Sequence, residues 1–239
     1  MTRSPFWSVA LGLLMLAVPA AHGRGSADDD TEPKKAKKAA TPEQAVKYLT
    51  QAAAAGDLDA FMGQLDKRSR DAMKAHLAYA DALLKFFDVV DDQLGKDAKM
   101  PKPPPFKEIL KGFKKIEIIK KDSEEDDRVV LTLKMTARGP DGKPRTGGNK
   151  MTAVKEGDNW KLRTWDVLAA LKGRPKEVEL TSAESRKQQE YFAKSVVVIK
   201  RVTRQVEDGK FKSRKTALEG LRGAMMKAFP PPDEDADEP

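Results

Sequence analysis

At Ile116 the hydrophobic period of this chain changes. Upstream, apolar residues recur every three or four positions; downstream they alternate. The clearest alternation runs from Arg128 to Arg138. Val129, Leu131, Leu133 and Met135 fall on one side and Thr132, Lys134 and Thr136 on the other. This predicts an antiparallel strand with one buried face, because only extended backbone puts residues i, i+2 and i+4 together. Ile116 and Ile118 begin a strand before it, and Ser123 to Asp127 makes an acidic turn between the two. A loop rich in Gly and Pro, Gly139 to Gly148 (GPDGKPRTGG), leads to a third strand, Asn149 to Lys155. The turn Glu156-Gly157-Asp158-Asn159 leads to a fourth, Trp160 to Trp165.

Helical signals flank this meander. Thr41-Pro42-Glu43-Gln44 combines an N-cap Thr, a Pro at N1 and a Gln at N3 that can close a capping box. Val46, Leu49 and the alanines 52–55 form an apolar stripe, and Gly56 ends it. Asp57 caps a short second helix with Leu58, Phe61, Met62 and Leu65. A third helix is predicted over about Ser69–Leu94, with its stripe on Met73, Leu77, Ala80, Leu84, Phe87 and Leu94. Residues 96–105 (KDAKMPKPPP) read as a proline-broken linker, followed by a short helix over Phe106–Phe113. Two C-terminal helices form a hairpin about Asp208-Gly209. One covers Ser182–Val206 (Phe192, Val196, Ile199, Val202, Val206) and the other Ser213–Phe229 (Leu218, Leu221, Met225, Phe229).

The two ends carry no core periodicity. Arg3, an apolar run from Phe6 to Val18 and the small residues of Pro19-Ala20-Ala21-His22-Gly23 match a secretory signal over residues 1–23. Cleavage is expected between Gly23 and Arg24, with Ala20 or Ala21 as alternative sites. The other reading is an uncleaved N-terminal anchor. With no cysteine in the chain, a lipid tether at the cleavage point, disulfides and thiolate metal ligands are all excluded. No later run has transmembrane length, so an exported, periplasmic or secreted protein is expected. Residues 24–40 read as a disordered charged linker. Residues 230–239 read as a disordered tail of prolines followed by acids.

Without that acidic tail the chain is more basic than its overall net charge of +8. Such a surplus suits an anionic partner such as envelope polymer, a membrane surface or nucleic acid. It equally suits a Lys-rich solvated surface, the more economical reading because the lysines are spread through helices and loops. No RNA-recognition aromatic signature, zinc finger or Arg-rich helix is present, so specific nucleic-acid binding is not expected.

Residues 41–66 (TPEQAVKYLTQAAAAGDLDAFMGQLD) resemble the opening helix pair of nuclear transport factor 2-like proteins: a helix, a Gly-Asp pair at Gly56-Asp57, then a short helix bearing an aromatic. The third helix, the meander and the closing segment EGDNWKLRTWDV (Glu156–Val167) look like the rest of that superfamily, which also takes in SnoaL-like and cystatin-like cones. The resemblance spans residues 41–170 and implies an α+β fold with helices packed on a curved antiparallel sheet that forms a cone. The C-terminal helical hairpin over 171–229 departs from the pattern. The family includes ketosteroid isomerase, scytalone dehydratase and SnoaL-like cyclases, and also secreted binding modules, so fold alone does not assign chemistry.

The residues themselves argue against most enzymes. His76, the one histidine downstream of the leader, has Asp81 poorly placed to orient it and reads as structural. No HExxH or DxDxDG pattern supports a metal site. Asp91-Asp92 and Glu124 to Asp127 lack the spacing of a calcium loop, and Gly139–Gly148 lacks the Gly-Lys-Ser/Thr ending of a phosphate loop. Ser182, Ser185 and Ser195 have no histidine partner. Catalytic residues, metal and cofactor are therefore all expected to be none. Phe61, Tyr79, Phe87, Trp160 and Trp165 are the candidate pocket-lining residues, with core packing as the plainer role for each.

The expectation is an exported, non-catalytic ligand- or protein-binding module of the bacterial envelope, with a second copy of the chain or an envelope protein as partner. The alternatives are an isomerase- or dehydratase-like enzyme using the cone, and a basic adaptor for an anionic polymer.

Overall fold

The computed structural model describes residues 37–95, 106–138, 144–163 and 180–230. Its elements are α1 (Pro42–Ala55), α2 (Leu58–Gly63), α3 (Lys67–Leu94), α4 (Phe106–Gly112), β1 (Phe113–Glu124), β2 (Arg128–Arg138), β3 (Pro144–Glu156), β4 (Asn159–Arg163), α5 (Ser182–Glu207) and α6 (Arg214–Ala228). The architecture is α+β, with an open antiparallel sheet and a C-terminal helical pair. The leader with Gly23 and Arg24, Trp165 and the residues after Pro230 lie outside the described residues. The chain divides into two compact units: Met1–Ala72 with Pro103–Arg186, and Met73–Lys102 with Lys187–Pro239. Residues 73–94 of α3, expected inside a 41–170 domain, thus cluster with the C-terminal helices.

In the first unit the strands follow one another in the order β1-β2-β3-β4, all antiparallel. The register sets Val129 opposite Ala153 and Leu131 opposite Met151, and Ala153 opposite Leu162, so these side chains share a face. Helix α1 packs against β1, β3 and β4. The opposite face carries Thr136 hydrogen-bonded to Thr146, and Thr132 donating to Asp122, which also pairs with Lys120. On β2 alternation thus separates an apolar inner face from a largely polar outer one, as its sequence predicts. On β3 and β4 the opposite face is buried too, with Thr152, Val154 and Lys161 only 7–8% exposed.

Helix α1 starts and stops where its caps dictate. The Thr41 hydroxyl accepts from the Gln44 N–H at 3.3 Å, but the Gln44 side chain accepts from Ala40 rather than from Thr41, so the expected capping box is displaced by one residue. Gly56 ends the helix at φ +65°, in left-handed space that favours glycine. Asp57 then caps α2 through Ala60 N–H at 2.9 Å. The segment after α2 extends the sheet at the outer edge of β4: Leu162 N–H donates to Gln64 C=O and Asp66 N–H to Leu162 C=O. Those bonds cover an otherwise open strand edge.

The second unit is helical, with a core of Ala82, Phe86 and Val90 from α3, Ile199, Val202 and Val206 from α5, and Ala217 from α6. Gly209, at φ +71°, makes the turn between α5 and α6.

Three expectations are corrected. Strand β3 begins at Pro144, pairing Pro144 with Arg138 and Gly147 with Met135, so half of the anticipated Gly/Pro loop is ladder. The ladder overrides local turn chemistry because β2 offers a partner over its whole length. On α3 the buried stripe is Ala72, His76, Ala82, Phe86 and Val90; Met73, Leu77, Leu84 and Phe87 are only half-buried. The face is turned by about one residue, or 100°, because small alanines and a histidine pack where larger apolar residues are expected. On α6, Ala217 is buried and Leu218 is 36% exposed.

Candidate functional site

Three features have the composition of a site. The first is an open groove of about 270 Å³ between α1 and β1. Val46, Ile116 and Ile118 form its apolar floor, and Glu43, Lys47, Thr50 and Gln51 its polar rim. Glu43 pairs with Lys121 at 2.9 Å, and that hydrogen bond holds its carboxyl below the ordinary carboxylate range. The groove's lining residues are a carboxylate, an amine, a hydroxyl and an amide set around aliphatic side chains. Its chemistry is that of a contact surface.

The second is a polar cluster where α2, α3 and β4 meet. Asp66 accepts from Ser69 N–H at 2.9 Å through one carboxylate oxygen, capping α3, and from Arg163 Nε at 2.8 Å through the other. Lys161, nearly buried, donates to the Gly63 carbonyl. Burial pulls its ammonium pKa below the ordinary lysine value, nearby Arg70 adds to this, and Glu156 opposes it. These groups satisfy one another and tie two segments together, which is structural work.

The third lies in the second unit. His76 is 8% exposed and stacks on Phe192, with centroids 4.9 Å apart and planes 22° from parallel. Tyr79 lies against the same ring at 5.4 Å, and Tyr191 packs edge-on to it at 5.5 Å. Burial lowers the His76 pKa, and burial followed by Tyr191 pushes the Tyr79 phenol up to about 12. The His76 Nε2 atom is buried without a hydrogen-bond partner. Burial thus favours the uncharged forms of both groups, and both rings take part in an aromatic stack with Phe192. His76 belongs to the buried stripe of α3.

The sequence-derived lining residues are divided between the two units. Phe61 is half-buried on α2 and Trp160 is 8% exposed on β4, both in the first unit. Tyr79 and Phe87 pack against the helical core of the second unit, and Trp165 lies outside the described residues. Asp91, one of the acids considered for calcium, accepts from Arg214 at 2.9 Å. Among the described residues no group of three or more His, Asp or Glu could hold a metal ion, and no helix is long and apolar enough to cross a membrane. The chain matches no protein-family model, no curated protein and no solved structure.

Proposed function

We propose that the chain is exported and acts as a non-catalytic binding module of the bacterial cell envelope, with a first unit built on the nuclear transport factor 2-like plan. The observation that carries this reading is the filling of the sheet's inner face. Val129 and Leu131 of β2, Leu133 beside them, Ala153 of β3 and Leu162 of β4 are each 0–1% exposed. An isomerase- or dehydratase-like enzyme of this plan needs an ionisable side chain inside a hollow cone. The inner-face residues of the described strands are hydrocarbon instead, which supports the non-catalytic reading. The order helix, Gly-Asp pair, short helix, long helix and four-stranded meander supports the resemblance noted for residues 41–66. Curvature of the sheet into a cone is part of the same proposal.

Export is tested by expressing the chain with its own N-terminus in a Gram-negative host, fractionating by osmotic shock and sequencing the N-terminus. The expected product is periplasmic and begins at Arg24. An intact leader on cytoplasmic protein would contradict export.

A further inference from the structure

The outer faces of α5 and α6 repeat one pattern. On α5, Lys194, Val197, Arg201 and Arg204 follow at i, i+3, i+7 and i+10, and all four are exposed. On α6, Lys215, Leu218, Arg222 and Met226 follow at i, i+3, i+7 and i+11, again all exposed. Such spacing places each set on one strip of its helix. The apolar members are far from incidental in their exposure: Val197 is 67% exposed, Met226 49% and Leu218 36%. They account for three of the four large hydrophobic side chains exposed among the described residues.

Charge on these helices is biased toward cations, although α5 also carries Glu184, Glu190 and Glu207. Between Glu190 and Glu207 there is no acid, against Lys194, Lys200, Arg201 and Arg204. From Gly209 to Phe229 the one acid is Glu219, against Lys210, Lys212, Arg214, Lys215, Arg222 and Lys227. Arg201, Arg204, Lys215 and Arg222 make no ion pair with any described residue. The first turn of α6 also carries no acid, although acids are favoured there, so the local field is strongly positive.

We propose that the outer strips of α5 and α6 dock on an anionic lipid surface. A soluble polyanion complements the cations but gains nothing from Val197, Leu218 and Met226. A bilayer interface takes both, headgroups meeting Lys and Arg while the short apolar side chains enter the acyl boundary. No described helix is apolar enough to span, so the contact is peripheral. This rests on reading the chain as a binding module, not on its export.

The test is co-sedimentation of the purified full chain with vesicles of phosphatidylcholine alone, or with roughly one-third phosphatidylglycerol. Binding is expected only to the anionic vesicles, weakening as salt rises. Arg201→Gln with Arg204→Gln should weaken it roughly 25-fold, about five-fold per cation removed. Val197→Ser with Leu218→Ser and Met226→Ser should abolish the fraction that survives raised salt. Circular dichroism checks that the helices persist, which they should, since every substituted residue is exposed. Equal sedimentation with both vesicle types, or none with either, would overturn the lipid surface while leaving a protein-binding module intact. Unchanged binding by the triple Ser variant, with full competition by a soluble polyanion, would overturn it in favour of a polymer.

Discussion

Arg163 Nε donates to Asp66 Oδ2 at 2.8 Å, while the other oxygen of the same carboxylate caps α3 through Ser69 N–H. The Asp66 backbone joins in as well, bonding to Leu162 on β4. One residue thus starts a helix, holds a strand edge and neutralises a guanidinium. Asp66→Ala should lower unfolding free energy by about 3 kcal/mol or more, the expected effect of breaking a buried pair and losing a cap. Asp66→Asn keeps a capping oxygen and should cost less. Urea denaturation of both variants checks the order.

His76 gives the second unit a pH dependence of defined sign. Burial depresses its pKa in the folded chain, so below about pH 6.5 the unfolded chain binds the proton more readily. Stability from this group is complete above that value and is lost as pH falls through the folded pKa. The neighbouring Tyr79 and Tyr191 stay neutral in this window, since burial raises both phenols. Relative to His76→Phe, the native chain should lose up to about 1.4 kcal/mol per pH unit. Thermal melts of the two proteins from neutral to acidic pH measure it; parallel curves would contradict a buried neutral His76.

Gly56 is constrained mainly by its backbone. At φ +65° a side chain is strained, and a Cβ there would also lie 2.9 Å from Lys111 Cε. The lysine tip can move, so Gly56→Ala should cost about 1–2 kcal/mol with little relief from adding Lys111→Ala. Full recovery in the double variant, measured by denaturant titration, would show sterics rather than φ to be limiting.

In the helical unit, Asp91 and Arg214 form a pair at 2.9 Å whose acidic side chain is 3% exposed. Arg214→Met removes the cation paired with that nearly buried carboxylate and should cost about 3 kcal/mol or more. Asp91→Leu combined with Arg214→Met should recover most of it. The double-mutant cycle is the check.

What the sequence makes legible tracks how local the deciding physics is. The Thr41-Pro42 start, the Gly56-Asp57 junction, the Glu156–Asn159 turn and the Asp208-Gly209 hairpin are settled by neighbouring residues, and each lies where its chemistry predicts. The alternation of β2 likewise survives intact. The stripe of α3 is not legible, because Ala72, Ala82 and His76 are buried only by what the tertiary fold brings against them. The β3 start is masked by Gly147 and Pro144, which pair because β2 is long. The edge pairing of Gln64–Asp66 with β4 joins segments nearly a hundred residues apart and leaves no local mark. Thr181 and Glu184, which exchange hydrogen bonds at the start of α5, form a capping box that the T-x-x-E spacing could have revealed. The candidate lining residues divide between the two units for the same reason: aromatic identity signals burial, but which unit buries Tyr79 or Trp160 is a long-range matter.

The filled inner face is the point on which the proposed function turns. Methyl NMR of the full chain, titrated with small apolar ligands and read at Leu131, Leu133 and Leu162, tests it most directly. Unshifted methyls up to ligand saturation are expected for a packed, non-catalytic sheet face. Saturable shifts at those three residues would reveal a ligand-accepting interior and contradict it.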